Sequence, residues 1–125
     1  MILQPGLKFE STATVTPVLT AEQLGSGDMP VLATPALVAL MENAAMRAVA
    51  PALEEGQTTV GTAVSTSHLK ASAVGAVVRA VAVLKAVEGR CLNFEVSAWE
   101  GETLLGQGVH TRFVVDRERF LAKLK

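Results

Sequence analysis

The stretch TPALVALMENAAMRAVAPAL at residues 34–53 limits the possible folds of this chain more than any other. Thr34 and Pro35 suit a helix start, because a threonine hydroxyl can cap free backbone N–H groups and proline has its φ angle already set. Apolar residues cover almost the whole circumference that follows, and Pro51 is expected to end or kink the helix. Such a helix is buried in a core or a membrane, and this one is too short and too charged for a membrane span. We therefore predict a core helix around which the chain folds.

One carboxylate interrupts the apolar surface of this helix. At 100° per residue, Glu42 projects among apolar neighbours that include Val38, Ala45 and Met46. Burying a carboxylate is expensive unless it is paired, hydrogen-bonded or wetted by a cavity. The residues leave two interpretations open: a strand residue or solvent satisfies Glu42, or Glu42 faces a substrate.

Composition bounds the size, location and partners of the protein. The 125 residues are 50% hydrophobic and 18% charged, which predicts one domain over residues 1–125 with a sizeable core. A net charge of −1 argues against nucleic acid or an anionic membrane surface as the main partner. Cys91 is the only cysteine, which fits a reducing compartment, and MILQPGLKF at the N-terminus lacks the pattern of a secretory signal. We therefore predict a cytoplasmic location.

The segments outside the helix favour strands. Residues 91–99, CLNFEVSAW, alternate apolar and polar side chains most clearly. Further strands are predicted at residues 7–16, 58–70, 76–87 and 103–116, with a short amphipathic helix or frayed end at 117–125. The expected fold is α+β, an antiparallel β-sheet wrapped around one long central helix. Because the sheet covers only one side of that helix, we predict at least a dimer, in which a second copy covers the other side.

Glycines and an irregular segment mark places where another group can approach the backbone. Gly61, within a predicted strand, indicates a bulge or the close approach of another backbone or a ligand. Gly106 and Gly108 allow close packing or bending of the last strand. Residues 19–33 oppose regular structure and lead directly into the helix, as lids and binding loops often do.

Four local motifs resemble the fluoroacetyl-CoA thioesterase-like family of hot-dog acyl-CoA thioesterases. The motifs are VLATPALVALMENAA at 31–45, VGTAVSTSHLKAS at 60–72, VEGRCLNFEVSAWEG at 87–101 and GQGVHTRFVVDRERF at 106–120. The order of the predicted elements also resembles the hot-dog fold. The resemblance runs over most of the chain from residue 31 onward.

The resemblance implies a catalytic set and an assembly. The family's threonine before the central helix, glutamate within it and histidine on the next strand match Thr34, Glu42 and His68. Its glycine that approaches the acyl group matches Gly61, and its members are dimers that hold the thioester near the subunit interface. The fluoroacetate-specific member carries phenylalanines before the helix, whereas residues 22–30 here contain no aromatic residue. We therefore expect no strong preference for fluoroacetyl-CoA.

The three matched residues offer the groups that thioester hydrolysis needs: a nucleophile or activated water, a proton acceptor, and donors for the oxyanion. A histidine such as His68 suits general acid or base work. Glu42 can orient the imidazole, act as a base or attack directly, and Thr34 can attack or hydrogen-bond the substrate beside the helix N-terminus. Thr34 and Glu42 are eight residues apart, roughly 12 Å along a helix axis, so the sequence leaves their division of roles open. The ordinary alternatives are a plain N-cap threonine and a structural histidine.

The remaining polar residues are assigned binding or structural roles. Lys70 and Arg112 are predicted to be exposed cations that can meet CoA phosphates, and His110 to pack or bind rather than react. We predict no metal site, because the two histidines and the one cysteine do not have the spacing of metal ligands. The resemblance implies no cofactor beyond the CoA of the substrate. The leading hypothesis is a dimeric acyl-CoA thioesterase. The alternatives are a non-catalytic hot-dog module that binds a CoA-like or small apolar ligand, and a hot-dog dehydratase or hydratase.

Overall fold

A five-stranded antiparallel sheet curls against one long helix in the computed structural model, which describes residues 2–125. The strands are β1 (Lys8–Thr14), β2 (Gln57–Thr66), β3 (Val77–Glu88), β4 (Cys91–Glu100) and β5 (Thr103–Asp116). The α-helices are α1 (Ala21–Leu24), α2 (Thr34–Val49) and α3 (Arg117–Ala122), with 3-10 turns at Pro17–Leu19 and Ala50–Ala52. The strands lie in the order β1-β3-β4-β5-β2, and each neighbouring pair is antiparallel. The architecture is the one that the sequence predicted. None of the helices formed by residues 2–125 is long and apolar enough to cross a membrane.

Helix α2 is the central core helix, and it packs mainly on β1 and β3. Its buried side chains are Leu37, Met41, Ala44, Ala45, Ala48 and Val49. Burial of each larger apolar side chain contributes about 1.5–3 kcal/mol to stability. The polar side of α2 lies on β1, where Ser11 Oγ donates a hydrogen bond to Asn43 Oδ1 at 2.7 Å. One turn further on, the Arg47 guanidinium lies 4.6 Å from the ring centroid of Phe9.

The first residue of α2 has a different role from the one predicted. Ala33, with φ −71° and ψ 141°, is the N-cap, and its carbonyl accepts the first helical bond from Leu37 N at 3.0 Å. Thr34 is already helical and makes no capping hydrogen bond, so the prediction of an N-cap threonine is wrong. At the other end the α-helix stops at Val49. Pro51 follows in a 3-10 turn, because its ring cannot continue an α-helix.

The alternation in β4 is confirmed. The apolar face of this strand is buried, and it consists of Leu92, Phe94, Val96 and Ala98. The Phe94 ring packs against the ring of His110 on β5, with their centroids 6.1 Å apart. The alternating pattern therefore fixes which face of β4 and β5 meets the core.

β2 is an edge strand that pairs with β5 among the strands in the described part of the chain. Its register shifts between Gly61 and Ala63, which confirms the predicted irregularity at this glycine. Residues 61–65 are exposed along the open edge. An open edge presents unpaired backbone groups, which a second chain can pair with or cover.

The chain after β2 stays beside β5. Ser67 N donates to Gln107 O at 3.0 Å, and Leu69 N donates to Leu105 O at 2.6 Å. Gly106 permits this approach, because a Cβ at that position would overlap the carbonyl of Ser67. The predicted site histidine lies between these two anchored residues, just beyond the regular strand in which it was expected.

Candidate active site

A threonine and a histidine meet at the N-terminal end of α2. The Oγ1 atom of Thr34 lies 2.7 Å from Nδ1 of His68, which is hydrogen-bonding distance. The start of α2 positions Thr34, and the extended segment held on β5 positions His68. Both residues line a cleft of about 240 Å³, together with Ser26 and Lys70. The structure thus brings Thr34 and His68 together, and it places the exposed cation Lys70 in the same cleft.

The second ring nitrogen of His68 has no partner. Nε2 is buried and makes no hydrogen bond to any group in residues 2–125. A hydroxyl that donates to an imidazole nitrogen is the arrangement by which a histidine activates an oxygen nucleophile. In that tautomer Nε2 carries the hydrogen, and no group within residues 2–125 accepts it. The Thr34–His68 pair has the geometry of a nucleophile and its base.

Glu42 lies in a second cluster, further along α2. Its Oε2 atom is 3.6 Å from Arg112 Nη1 and 4.0 Å from His110 Nε2. The Glu42 side chain is 39% exposed, so strand residues pair it and it also reaches the surface. The strand partners of Glu42 are therefore Arg112 and His110, whereas His68 pairs with Thr34.

Arg112 is buried, and the prediction that it is an exposed cation is wrong. It is 6% exposed, its Nε donates to Thr59 Oγ1 at 2.8 Å, and its Nη2 donates to the Thr59 carbonyl at 3.0 Å. Burial lowers the pKa of Arg112 and the Glu42 carboxylate opposes that change, while guanidinium stays charged in proteins. Alternation along β5 could have found this, since His110, Arg112 and Val114 share one face and are all buried.

His110 packs in the core, as the sequence predicted. Its Nδ1 lies 2.8 Å from the carbonyl oxygen of Ala63, and because a carbonyl only accepts, Nδ1 carries the hydrogen. Nε2 is then an acceptor, and it faces Arg112 Nη1 at 3.2 Å. Burial lowers the pKa of His110 from its ordinary value, and Arg112 adds to this, whereas the bond to Ala63 and the charge of Glu42 oppose it. His110 is therefore neutral at neutral pH.

Gly61 lies directly against this cluster. A Cβ built on it would come 2.6 Å from Glu42 Oε2 and 3.2 Å from Arg112 Nη1. The predicted close approach at this position is therefore to a charged cluster of the same chain. Gly61 leaves the space that the carboxylate and the guanidinium occupy.

A larger cleft, about 480 Å³, lies elsewhere. It is on the outer face of β3, β4 and β5, and residues such as Val81, Trp99 and Val109 line it. None of the predicted site residues lines this cleft. In the chain from residue 2 to 125, no group of three or more His, Cys, Asp or Glu side chains could hold a metal ion.

Comparisons with known proteins agree on one family. Residues 15–118 match a family model described as fluoroacetyl-CoA-specific thioesterase. The chain is 44% identical over 95 residues to the fluoroacetyl-CoA thioesterase of Streptantibioticus cattleyicolor, covering 76% of this chain and 68% of that protein. It superposes on a solved threonine-to-serine variant of fluoroacetyl-CoA thioesterase in complex with acetyl-CoA with a TM-score of 0.92 and 37% identity, covering 98% of this chain and 96% of the other.

A more distant neighbour has the same architecture. A thioesterase superfamily member from Thermus thermophilus superposes with a TM-score of 0.88 and 30% identity, covering 97% of this chain and 90% of the other. These matches confirm the predicted α+β hot-dog fold.

Proposed function

Because this chain belongs to the fluoroacetyl-CoA-specific thioesterase family, we propose that it hydrolyses a small acyl-CoA at a site where two copies of the chain meet. Family membership makes the chain an acyl-CoA thioesterase, so its reaction is hydrolysis of a thioester. The observation that carries the proposed site is the 2.7 Å contact between Thr34 Oγ1 and His68 Nδ1. It supplies a nucleophile with a base already in place.

The proposed chemistry begins with Thr34. Its Oγ1 attacks the thioester carbonyl carbon while His68 Nδ1 takes the hydroxyl proton, and the C–S bond then breaks. The proton passes from the imidazolium to the departing CoA thiolate. The first turn of α2 stabilises the oxyanion, because its free N–H groups and its positive dipole end lie beside Thr34, which lines the cleft. Water then attacks the carbonyl of the acyl-threonine ester while Glu42 accepts a proton from the water. The bond between the acyl carbon and Thr34 Oγ1 breaks, the acid is released, and the proton held by Glu42 returns to Oγ1.

The distribution of the site residues supports a dimer-interface site. Thr34 and Glu42 lie roughly 12 Å apart along α2, and within one chain Glu42 contacts Arg112 and His110. We therefore propose that the Glu42 acting on each Thr34–His68 pair belongs to the second copy.

The exposed surface beside Glu42 suits that second copy. Met46, one turn beyond Glu42, is 37% exposed, and Val64 on the open edge of β2 is 38% exposed. Val64 pairs with the buried His110, and directly opposite residues project from the same face of a sheet, so Val64 lies on the helix side. Exposed apolar side chains next to an open strand edge are features that a homodimer would cover.

Lys70 and Gly61 complete the proposed substrate site. Lys70 is exposed in the cleft with Thr34 and His68, where its ammonium suits the phosphates of CoA. Gly61 keeps the backbone of β2 close to the Glu42 carboxylate, and we propose that the acyl group lies beside it. The proposed reaction consumes water and needs no cofactor besides the CoA of the substrate. We propose that it takes place in the cytoplasm.

The test combines thiol release with subunit exchange. His68→Ala and Glu42→Gln should each reduce kcat for acetyl-CoA by about 100-fold to 10,000-fold, the range for general acid–base groups. A purified heterodimer of one His68→Ala chain and one Glu42→Gln chain then contains one complete site, if the residues act across the interface. It should recover about half of the wild-type kcat, since one of two symmetric sites is intact.

Other outcomes would contradict parts of this proposal. A heterodimer as inactive as its parents would place Glu42 and His68 of the same chain in one site. Unchanged rates in both single variants would reject the catalytic set. Calorimetric binding of acetyl-CoA without thiol release across a panel of acyl-CoA esters would instead favour a non-catalytic binding module.

A further inference from the structure

An apolar pocket of about 260 Å³ lies between α2 and β1, next to the cleft that holds Thr34 and His68. Three alanines line it, Ala13 on β1 and Ala36 and Ala39 on α2, and their short side chains leave the space open. Apolar cavities of about 150 Å³ bind six-carbon molecules such as benzene. The pocket is therefore large enough for a six-carbon acyl tail.

Leu32 separates this pocket from the cleft. In the part of the chain that the structure describes, it is the one residue that lines both. Its side chain is packed in the hydrophobic core, with 5% of the residue exposed. Leu32 precedes Thr34 by two residues, which extended chain spans in about 7 Å. An acyl tail that runs from Thr34 towards the apolar pocket would therefore meet the Leu32 side chain first.

Hydrogen bonds on both sides hold the backbone around Leu32. On one side, Ala33 N donates to the carbonyl oxygen of Leu19 at 2.9 Å. On the other side, Leu32 N donates to the carbonyl oxygen of Ser72 at 2.9 Å. Because the segment is held between two neighbouring segments, the width of the passage depends on the size of the Leu32 side chain.

We propose that Leu32 limits the length of the acyl group, by closing off an apolar pocket that would otherwise receive its tail. This inference rests on the proposed function, in which the thioester carbonyl meets Thr34. A short acyl group fits beside Gly61, whereas a longer one reaches Leu32 and has to stay in the cleft. There it lies near polar groups such as Ser26 and Lys70, so burial of its methylenes is less favourable.

The ratio of kcat/KM for hexanoyl-CoA to kcat/KM for acetyl-CoA tests the inference. Leu32→Ala should open the passage, and each methylene that enters the pocket should then raise kcat/KM about fourfold. For the four additional methylenes of hexanoyl-CoA, the ratio should rise on the order of 100-fold above that of the wild type. Leu32→Val removes less of the side chain and should change the ratio in the same direction by a smaller factor.

Two further variants distinguish an opened passage from a loosened core. Leu40→Ala is the matched control, because Leu40 lines the apolar pocket but not the cleft. This variant enlarges the pocket without opening it to Thr34, so it should leave the ratio unchanged. Ala13→Leu, added to Leu32→Ala, fills the pocket from β1 and should remove most of the gain for hexanoyl-CoA. The double variant should keep the kcat/KM that Leu32→Ala has for acetyl-CoA.

Several results would overturn the inference. A wild-type protein that hydrolyses hexanoyl-CoA as efficiently as acetyl-CoA would show that Leu32 does not limit the acyl length. A wild-type ratio in folded Leu32→Ala would do the same, as would an equal gain in Leu40→Ala. If Leu32→Ala fails to fold, Leu32→Val decides in its place. All of these results leave hydrolysis of acetyl-CoA by the wild type intact, whereas a wild type that releases thiol from neither ester would reject the proposed function itself.

Discussion

The two ends of the proposed site differ in kind. At the start of α2, Thr34 and His68 form a hydroxyl–imidazole contact at the surface. Further along the same helix, Glu42 is held by the buried Arg112 and His110. The first pair depends on a single contact, whereas the second cluster is anchored to two strands. The comparison suggests that this protein keeps its threonine–histidine pair accessible and its carboxylate fixed.

The two regions also differ in how much the loss of a contact should cost in folding free energy. An exposed hydrogen bond contributes little to folding, because water replaces either partner when it is lost, with a net effect of about 0.5–1.5 kcal/mol. Removing one partner of a buried charge leaves that charge unsatisfied and costs about 3–5 kcal/mol. The surface exposure of Glu42 reduces this cost, because solvent screens the ion pair between Glu42 and Arg112. Mutations in the Thr34–His68 pair should therefore affect mainly catalysis. Mutations in the cluster of Glu42, Arg112 and His110 should affect both catalysis and stability.

Two threonines, one in each region, give the largest and clearest contrast. Thr34→Val removes the hydroxyl of the pair and should lower kcat about 100-fold or more with little change in the free energy of unfolding. Thr59→Val is an equally small change, but it removes the acceptor of Arg112 Nε, so it should lower the free energy of unfolding by about 1–3 kcal/mol. Thiol release and urea denaturation of both variants measure the contrast. If both variants lose only stability, Thr34 is not the nucleophile.

A smaller effect is expected on the selectivity for the acyl group at the Thr34–His68 pair. The loop at residues 22–30 is exposed and contains no aromatic residue, so it offers little surface to select among small acyl groups. We expect kcat/KM for fluoroacetyl-CoA and acetyl-CoA to agree within about tenfold, which corresponds to 1.4 kcal/mol. Parallel thiol-release assays with the two esters measure this ratio. A preference of several hundred-fold for the fluorinated ester would show that the site selects its acyl group without lid aromatics.

The smallest expected effect is a pH dependence confined to the buried cluster. Because burial lowers the pKa of His110, the unfolded chain binds a proton below pH 6.5 before the folded protein does. The contribution of neutral His110 is therefore present above pH 6.5 and is lost as the pH falls from 6.5 towards the lowered value, by at most about 1.4 kcal/mol per pH unit. His110→Asn keeps a donor for Ala63 and removes the titration, so its free energy of unfolding should fall less steeply between about pH 6.5 and 5. Equal slopes in urea denaturation series of the two proteins would contradict this assignment.

Much of the fold was predictable because it depends on local patterns. The apolar circumference of residues 34–49 identified the central helix, and the alternation in CLNFEVSAW identified the buried face of β4. Gly61 indicated the irregularity that the register shift confirms. Each of these signals follows from the periods of helices and strands, or from the steric demands of a missing side chain.

The predictions that were wrong concern groups whose partners are distant in sequence. Thr34 was expected to cap the helix, but Ala33 does so and the Thr34 side chain bonds His68, which is 34 residues away. Arg112 was expected at the surface, but it binds Thr59, 53 residues away. A sequence gives the chemical type of such residues, whereas the opposing side chain depends on how the strands are placed.

The sequence by itself determined the helix, the strands, the antiparallel sheet and the family, because these depend on spacing along the chain and on local motifs. Only the tertiary structure decided which polar groups meet: His68 with Thr34, and Arg112 with Glu42. The physical reason is that hydrogen bonds and ion pairs act over a few ångströms, so their partners are set by the register of β2 on β5 and by the packing of α2.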